Sequence, residues 1–468
     1  MPQIGIELRI GNNDEGTSVE HDQFSTFYTF YIQNSDQKDQ KISIDKLLEE
    51  LSRLKLNPSS QGLDVLTLAC AAYAADTSIN RYRNSDDGWT RQFHLFVPVS
   101  DAALWQSQQE LVSEILNFLT GDLWQVTFRQ GATSIVVSNK VMEPTEYRTD
   151  TVCLFSGGMD SFIGAMKLLN EGKRPLLVGH AKSSDVSDFR NKASQALSSR
   201  YGSISPELVK AFIRVKKPKL NGKAIEGENT ERGRSFLFLA LGAACATALP
   251  ESEENSSKKL YIPENGFITL NLPLTPLRIG AYSTRTTHPY YLNLMQRLFK
   301  AVGIDIDVIN PFEFKTKGEM LLECGDPAFV AEVDTMSCSR PSTRNANIEG
   351  AGRRHCGRCV PCIIRRAALK KANQVDDNNQ LPAARQYRTD IYRTRLHAST
   401  AKVEDKTAKG ENVMAFKYMI ERVRQDPNFL TAAIRLTGPL EYPDQSLAVY
   451  KRGLEEVEAV LQNVTVIE

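Results

Sequence analysis

Two adjacent glycines, Gly157 and Gly158, follow the apolar run TVCLF and precede a second apolar pattern at helical spacing. A strand that ends in glycines and enters a helix lets backbone N–H groups approach an anion without an intervening Cβ atom. The hydroxyls of Ser156 and Ser161 can add hydrogen bonds, and the carboxylate of Asp160 can hold Mg²⁺ beside phosphates. The stretch therefore predicts a phosphate-binding loop, although it matches neither the Walker loop nor the G-x-G-x-x-G fingerprint.

Four of the eight cysteines form a second cluster, Cys338, Cys356, Cys359 and Cys362. Three thiolates at two-residue spacing and a fourth from a distance give the closed tetrahedral set that suits a structural Zn²⁺ ion. An iron–sulfur cluster is one alternative, and His355 in place of Cys338 as the fourth ligand is another. The other four cysteines stand singly among apolar residues. This distribution indicates a metal site in a reducing compartment rather than a disulfide framework.

Basic residues surround the cysteine cluster. Residues 353–371 contain seven Lys or Arg and one His, with no acidic residue. They could form a patch that binds nucleic acid. The alternative, which we favour, is that these cations offset the negative charge of a metal–thiolate centre.

The length of 468 residues favours two to four domains. We predict an α+β accessory domain over residues 1–148, in which WQVTFRQ and TSIVVS form a hairpin and partners dock. Strand and helix patterns alternate over residues 149–337, which predicts an α/β domain with a parallel sheet and right-handed crossovers. Residues 338–380 form the predicted zinc-binding segment. Residues 381–468 form a predicted helical extension.

The bulk composition excludes several classes of protein. With 41% apolar residues, the chain is typical of globular proteins. Its net charge of +1 is too small to attract the molecule as a whole to nucleic acid or anionic membranes. Its N-terminus lacks the basic segment of a signal peptide. The most apolar segment, residues 236–249, is too short to span a bilayer and predicts a buried helix. We expect a cytoplasmic protein with no membrane partner.

The glycine stretch resembles the S-G-G-x-D-S pyrophosphate loop of the N-type ATP pyrophosphatases, which cleave ATP to AMP and pyrophosphate. A loop of this kind followed by C…C-x-x-C-x-x-C is similar to the branch that contains 7-cyano-7-deazaguanine synthase (QueC). The resemblance implies a parallel-sheet ATP-pyrophosphatase core of the adenine nucleotide alpha hydrolase type, with zinc on the four cysteines and ATP with Mg²⁺ at the loop. It assigns catalysis to Asp160 and Ser161, and ATP binding to Ser156, Gly157, Gly158, Met159, Asp160 and Ser161.

The same resemblance suggests substrate-binding residues. RGRSFLFLALGAACA is similar to a helix that faces the nucleotide crevice in that family, and ENG follows a strand, at the edge where open α/β sheets bind ligands. STRTTHP differs from the deazapurine-binding segment of ordinary family members and suits an anion or an acceptor. A helix cap or a turn is the alternative role for all of these segments. The candidates are Arg232, Arg234, Glu264, Asn265, Arg285 and His288.

The chain is roughly twice as long as ordinary members of that branch. In DDGWTRQFHLFVPV and LTGDLWQVTF it resembles the QueC-like proteins of bacterial anti-phage operons, the QatC group. This resemblance implies adenylation of the carboxylate of a 7-carboxy-7-deazaguanine-like acid, followed by amide formation. The amine would come from a neighbouring defence-operon protein or, alternatively, from ammonia, which would lead to the ordinary nitrile. A third alternative is a nucleotide-binding scaffold without turnover.

Overall fold

Alternating apolar runs and helical patterns form two mainly parallel sheets in the computed structural model. It describes residues 3–33, 36–37, 39–131, 135–137, 147, 149–181, 184–220, 223–250, 257–274, 285–339, 341, 353–383, 385–398 and 407–467. The first elements, in chain order, are β1 (Gln3–Ile10), β2 (Thr26–Ile32), β3 (Lys41–Ser43), α1 (Asp45–Arg53), α2 (Ser60–Ser78), β4 (Gln92–Val99), α3 (Ala102–Gln106), α4 (Gln109–Thr120) and β5 (Leu123–Gln130).

The elements that follow build the second sheet and the C-terminal part. The second sheet and its connections comprise β6 (Thr151–Leu154), α5 (Met159–Asn170), β7 (Leu176–Ala181), α6 (Ser184–Tyr201), β8 (Glu207–Phe212), β9 (Arg214–Val215), β10 (Lys219–Leu220), β11 (Lys223–Ala224), α7 (Arg234–Thr247), β12 (Lys258–Tyr261), α8 (Gly266–Leu270), α9 (Pro289–Ala301) and β13 (Ile306–Ile309). The C-terminal part comprises α10 (Lys317–Leu322), α11 (Pro327–Glu332), α12 (Val360–Lys371), β14 (Arg395–His397), β15 (Thr407–Lys409), α13 (Glu411–Gln425), α14 (Phe429–Arg435), α15 (Pro443–Leu461) and β16 (Val466–Ile467).

The first sheet has the order β5-β4-β1-β2-β3-β9, and each pair is parallel except β3 with β9. The predicted α+β module is therefore an α/β unit. Helices α1 and α2 connect β3 to β4, and α3 and α4 connect β4 to β5, which are crossovers of the kind that parallel strands need. The predicted hairpin is wrong at its first strand, since β5 pairs with β4. Residues 133, 134 and 138 of its second strand lie outside the described residues.

The second sheet has the order β13-β12-β6-β7-β8, and all its strands are parallel. This confirms the α/β class and the parallel sheet predicted for this part of the chain. Starting from β6, the strands proceed to β7 and β8 on one side and to β12 and β13 on the other. In doubly wound sheets of this order, ligands bind at the carboxyl ends where the direction reverses, here between β6 and β12.

One hydrophobic core joins the two sheets through the antiparallel helices α2 and α7. At one end of this pair the Ser59 N–H donates to Thr247 Oγ1 at 3.2 Å. At the other end the Gly233 N–H donates to Asp76 Oδ2 at 2.8 Å. Gly62 allows this approach, since a Cβ atom there would lie 2.3 Å from Thr247 Oγ1. The predicted domain boundaries stay predictions. This core contains residues from both sides of the predicted boundary at residue 148, and strand β9, which follows that boundary, pairs with β3, which precedes it.

The apolar segment 236–249 falls almost entirely within α7, which is buried as predicted. Among the described residues, no helix combines the length and apolar character needed to cross a bilayer. The segment is apolar on all sides because both sheets contribute residues to the core around it.

A separate core joins α8 to the helices of the C-terminal part. It contains Ile364 of α12, Phe416 of α13 and Tyr450 of α15, all buried. The predicted helical extension also contains three short strands, which form a parallel sheet in the order β15-β14-β16. Strands of two or three residues are too short to show an alternating pattern, so the sequence did not predict them.

Candidate functional site

The glycine stretch forms the turn between β6 and α5. Gly157 has φ +82°, a conformation that favours glycine, and Gly158 is the residue that precedes α5. The Gly158 N–H donates to Ser156 Oγ at 3.2 Å, and the Ser161 hydroxyl donates to the Gly158 carbonyl at 3.0 Å. In the described part of the chain, no side chain caps the start of α5. The N–H groups of its first turn are therefore available to an anion.

Arg190 of α6 lies against this turn. A Cβ atom at Gly157 would lie 2.7 Å from the Arg190 Cα atom, and Gly179 lets the arginine side chain pass along β7. The residue is 3% exposed, and its Nε and Nη1 atoms have no hydrogen-bond partner among the described residues. Burial lowers the pKa of Arg190 to about 10, and the nearby charge of Arg234 contributes to this shift. A buried guanidinium with unfilled donors favours an anionic partner.

Asp160 lies in the first turn of α5, and its carboxylate is buried between two partners. Lys317 Nζ is 3.0 Å from Oδ1, and Asn265 Nδ2 donates to Oδ2 at 2.7 Å. Burial opposes ionisation of Asp160, but Lys317 and the hydrogen bonds from Glu264 and Asn265 hold its pKa below the ordinary value. Met159, the residue before it, is fully buried in the core, and its role in ATP binding stays a prediction.

Glu264 and Asn265 follow β12, which lies on the other side of the switch point from β6. Their side chains lie beside Asp160. Asn265 Nδ2 lies 3.2 Å from Glu264 Oε1, while Asn265 Oδ1 accepts the Ile268 N–H and caps α8. Burial and the adjacent charge of Asp160 raise the pKa of Glu264 well above its usual value. The alternative role of Asn265 as a helix cap is therefore confirmed, and its substrate role stays a prediction. The carboxylate of Asp160 is an oxygen ligand of the kind that Mg²⁺ prefers, and Glu264 would become a second such ligand on losing its proton.

Lys317 is a site residue that the sequence analysis missed. It opens α10, whose start is fixed by a capping box between Thr316 and Glu319. The Thr316 hydroxyl donates to Glu456 Oε1 of α15 at 2.5 Å, and Arg452 Nε donates to Glu319 at 2.6 Å. The C-terminal extension thus holds the lysine beside Asp160. No local pattern marks this lysine, because its partner is more than a hundred residues away in the sequence.

Arg232 lies in a different environment from Asp160. Its guanidinium is 4.8 Å from the Trp89 ring centroid, and that of Arg81 is 4.7 Å from the same ring. Arg81 donates two hydrogen bonds to Asp122, each 2.8 Å long, in a buried charge network of the first sheet. Desolvation lowers the pKa of Arg232 to about 10. Its predicted contact with substrate stays a prediction.

Arg285 and His288 contact other parts of the protein. Arg285 Nη1 donates to the Phe118 carbonyl of α4 at 3.0 Å. His288 Nδ1 accepts the Tyr290 N–H at 3.2 Å and caps α9, while its Nε2 lies 3.0 Å from Thr437 Oγ1. Since the Thr437 hydroxyl donates to the Ile434 carbonyl, His288 Nε2 is the donor to Thr437. These contacts match the cap-and-turn alternative, and a substrate role stays a prediction.

The cysteines of the predicted metal site come together in one buried cluster, Cys338, Cys356, Cys359 and Cys362. Their Sγ atoms all lie within 4.8 Å of one another, and two pairs are 3.8 Å apart. Four sulfurs at about 2.3 Å from a tetrahedral Zn²⁺ ion would be about 3.8 Å apart, so the cluster fits a single ion such as zinc. His355 Nε2 accepts the Ser337 N–H at 3.2 Å and stands outside this set.

Two of the basic residues near the cysteines are buried rather than presented to a partner. Arg366 pairs with Asp376 at 2.8 Å and is fully enclosed. Arg365, also buried, donates to Thr335 Oγ1 at 2.9 Å. The burial of both side chains disfavours a nucleic-acid surface at these two positions, and compensation of the metal–thiolate charge stays a prediction.

Comparison with known proteins returns no match, whether to family models, to curated proteins or to solved structures. A functional assignment for this chain therefore depends on the residues themselves. Three features bear on it: the uncapped glycine turn, the buried Arg190 against it, and the Asp160–Lys317 pair at the switch point.

Proposed function

We propose that this chain is an ATP-dependent ligase that activates a carboxylic acid as an acyl adenylate and releases pyrophosphate. The observation that carries this proposal is the position of Arg190, buried with unfilled donors against the uncapped start of α5. Backbone N–H groups and a guanidinium that meet at one turn are suited to a polyphosphate. The turn also follows β6, at the edge of the sheet where ligands of this architecture bind.

Each group at the turn has a role in this reaction. The N–H groups of Gly157 and of the first turn of α5, with the Ser156 and Ser161 hydroxyls, would orient the phosphates and stabilise charge on the departing pyrophosphate. Asp160 and Glu264 would hold Mg²⁺, which would neutralise phosphate charge when bound. No covalent nucleophile is required, because the acid itself attacks the α-phosphate. The core would then be an ATP-pyrophosphatase domain.

The substrate and the acceptor follow from the resemblance to the QueC-like proteins of the QatC group. The acid would be a 7-carboxy-7-deazaguanine-like molecule, and the acceptor would be an amine of a neighbouring anti-phage defence protein in the cytoplasm. The first sheet supports a macromolecular acceptor, because it adds a large unit to the proposed enzyme domain. The hydrophobic core around α2 and α7 is common to this unit and that domain. Ammonia would need no such unit.

One contact favours a second candidate, a nucleotide-binding scaffold without turnover. Lys317 Nζ lies 3.0 Å from Asp160 Oδ1, and both side chains are buried. Because the lysine already compensates the charge of Asp160, a divalent cation must compete with it. A retained nucleotide with no pyrophosphate release would support the scaffold.

Release of AMP and pyrophosphate separates the two candidates. The purified chain is incubated with ATP, Mg²⁺ and 7-carboxy-7-deazaguanine, and the pyrophosphate released by adenylation is measured. AMP is measured after hydroxylamine is added, because an amine that attacks the acyl adenylate displaces AMP. We expect Arg190→Gln to lower the rate about tenfold or more, because a charge-assisted hydrogen bond to phosphate is lost. Arg200→Gln is the matched control, since it removes a more exposed arginine from the same helix. Nucleotide binding without either product would contradict the ligase proposal.

The acceptor is identified by intact-mass analysis of a candidate partner protein incubated with the enzyme. We expect a mass increase that requires both ATP and the acid. Conversion of the acid to a nitrile with ammonia alone, with no change in the partner's mass, would instead support the ordinary synthase reaction.

A further inference from the structure

A short segment connects the glycine turn to the cysteine cluster. Residues 333–338, which we call the strap, follow α11 and end at Cys338. The Met336 N–H donates to the Gly157 carbonyl at 2.9 Å, and a Cβ atom at Gly158 would lie 3.5 Å from the Met336 carbonyl oxygen. The strap therefore contacts both glycines of the turn and supplies one member of the cluster.

The hydrogen bond from Met336 fixes one peptide group of the turn. The Gly157 carbonyl and the Gly158 N–H belong to the same peptide group, and this N–H donates to Ser156 Oγ at 3.2 Å. Because a peptide group is planar, a restraint on its carbonyl also restrains its N–H. Glycines on both sides leave this group with few steric limits on its rotation. The contact with Met336 therefore supplies a restraint that the glycines themselves lack.

The strap is anchored before Met336. The Thr335 hydroxyl is buried and accepts a hydrogen bond from Arg365 Nη1 at 2.9 Å. Arg365 belongs to α12, the helix that begins directly after Cys359 and contains Cys362. The segment that carries three of the four cysteines therefore holds the strap at this point.

A second anchor follows Met336. The Ser337 N–H donates to His355 Nε2 at 3.2 Å, and Cys338 Sγ lies 3.8 Å from Cys359 Sγ. The side chain of Met336 packs against the same cysteines. A metal ion held by all four sulfurs would join the end of the strap to the loop that carries the other three ligands. The position of Met336 would then depend on that ion.

We propose that metal binding at the cysteine cluster positions the glycine turn, with Met336 as the positioning residue, so that the metal ion and a polyphosphate bind cooperatively. The polyphosphate part of this inference rests on the proposed function, whereas the positioning of the turn does not. Two ligands that favour the same conformation of a protein increase each other's affinity by the same factor. The metal ion would thereby act on the turn without touching the phosphates.

Met336→Pro tests this link, because proline has no N–H to donate to Gly157. Met336→Leu is the matched control, since it keeps the backbone donor and an apolar side chain. Three quantities are measured on the full chain: zinc content, binding of pyrophosphate by calorimetry, and hydrogen–deuterium exchange of the Phe162 amide, which donates to the Gly158 carbonyl at 3.1 Å. Exchange at Phe162 reports on the turn without any phosphate.

We expect Met336→Pro to keep its zinc but to bind pyrophosphate about fivefold more weakly and to exchange the Phe162 amide about fivefold faster. This factor corresponds to the loss of one net backbone hydrogen bond. Met336→Leu should match the unmodified chain in both measurements. Removal of the metal with a chelator is the second perturbation, should the proline disrupt folding. It should have the same two effects on the unmodified chain, and added zinc should reverse them.

Amides of β1 in the first sheet are the reference for unfolding of the whole chain. Unchanged exchange at Phe162 in both the proline variant and the metal-free chain would overturn the inference. Equal acceleration at Phe162 and in β1 would also overturn it, because the strap and the metal would then stabilise the whole fold rather than the turn. If exchange changes as expected but pyrophosphate does not bind the zinc-loaded chain, the proposed function fails and the positioning of the turn stands.

Discussion

Gly157 packs so closely against Arg190 that a Cβ atom at position 157 would lie 2.7 Å from the arginine Cα atom and 2.9 Å from its Cβ atom. The turn therefore cannot accept a larger residue without moving the helix that carries the guanidinium. The proposed anion site of the backbone and the buried cation are thereby fixed in relation to one another. The chemistry proposed for this chain depends on that arrangement.

Gly157→Ala should abolish pyrophosphate release. Both the φ of +82° and the contact with Arg190 oppose a Cβ atom at this position. Gly172→Ala is the matched control, because Gly172 has φ +76° but a Cβ atom there would meet nothing within 4 Å. The control should lose about 1 to 2 kcal/mol of unfolding free energy and keep its activity. Urea unfolding and product release check both, and an active Gly157→Ala enzyme would contradict the expectation.

Asp160 and Lys317 should behave as one unit in a double-mutant cycle. Either Asp160→Asn or Lys317→Met leaves a buried charge without its partner, which should lower the unfolding free energy by about 3 to 5 kcal/mol. The double variant should recover much of that loss, because neither charge remains. It should still release no pyrophosphate, since the carboxylate is absent. Additive losses in urea unfolding would show that the two residues are independent.

The cysteine cluster should bind one zinc ion per chain. Cys359→Ser should eliminate the bound metal and lower the unfolding free energy by several kcal/mol, because binding of a structural zinc is coupled to folding. Cys324→Ser is the control, as Cys324 is buried outside the cluster. Elemental analysis and thermal unfolding measure the two effects. Full zinc content in Cys359→Ser would contradict the assignment of four cysteine ligands, and iron in place of zinc would favour the iron–sulfur alternative.

His288 should make the protein less stable as the pH falls. Burial lowers its pKa from 6.5 to about 3, so the unfolded chain takes up a proton that the folded chain resists. Stability is therefore lost as the pH falls below 6.5 and continues to fall toward pH 3. At pH 5 this amounts to about 2 kcal/mol. His288→Asn, which can still cap α9, should show a pH dependence of stability between pH 7 and 5 that is smaller by that amount.

The sequence predicted the parts of the site that depend on local pattern. The glycine turn between β6 and α5 needs only a strand, two glycines and a helix in succession, and the four cysteines are close enough in sequence to suggest a metal site. The buried helix α7 follows from its continuous apolar run. Each of these features is specified by residues near one another in the chain.

Features that depend on the packing of distant segments were not predictable in the same way. Arg190 lies in a polar helix, and only the packing of that helix against Gly157 buries its guanidinium. Lys317 contacts Asp160 because α10 packs against α15. No spacing in the sequence predicts that packing. The first sheet was misjudged because alternation along a strand does not distinguish a parallel neighbour from an antiparallel one.

The first five strands of the chain have the same spatial order as the strands of the second sheet, so β1 occupies the place of β6 and helices α2 and α7 meet as equivalent elements. The two sheets thus share one strand order within a single polypeptide. Where the second sheet has its glycine turn, the first has Asp14, which accepts the Ile10 N–H at 2.9 Å and pairs with Arg129 at 2.7 Å. An internal carboxylate thus lies in the first sheet at the place where we propose that the second sheet binds a phosphate.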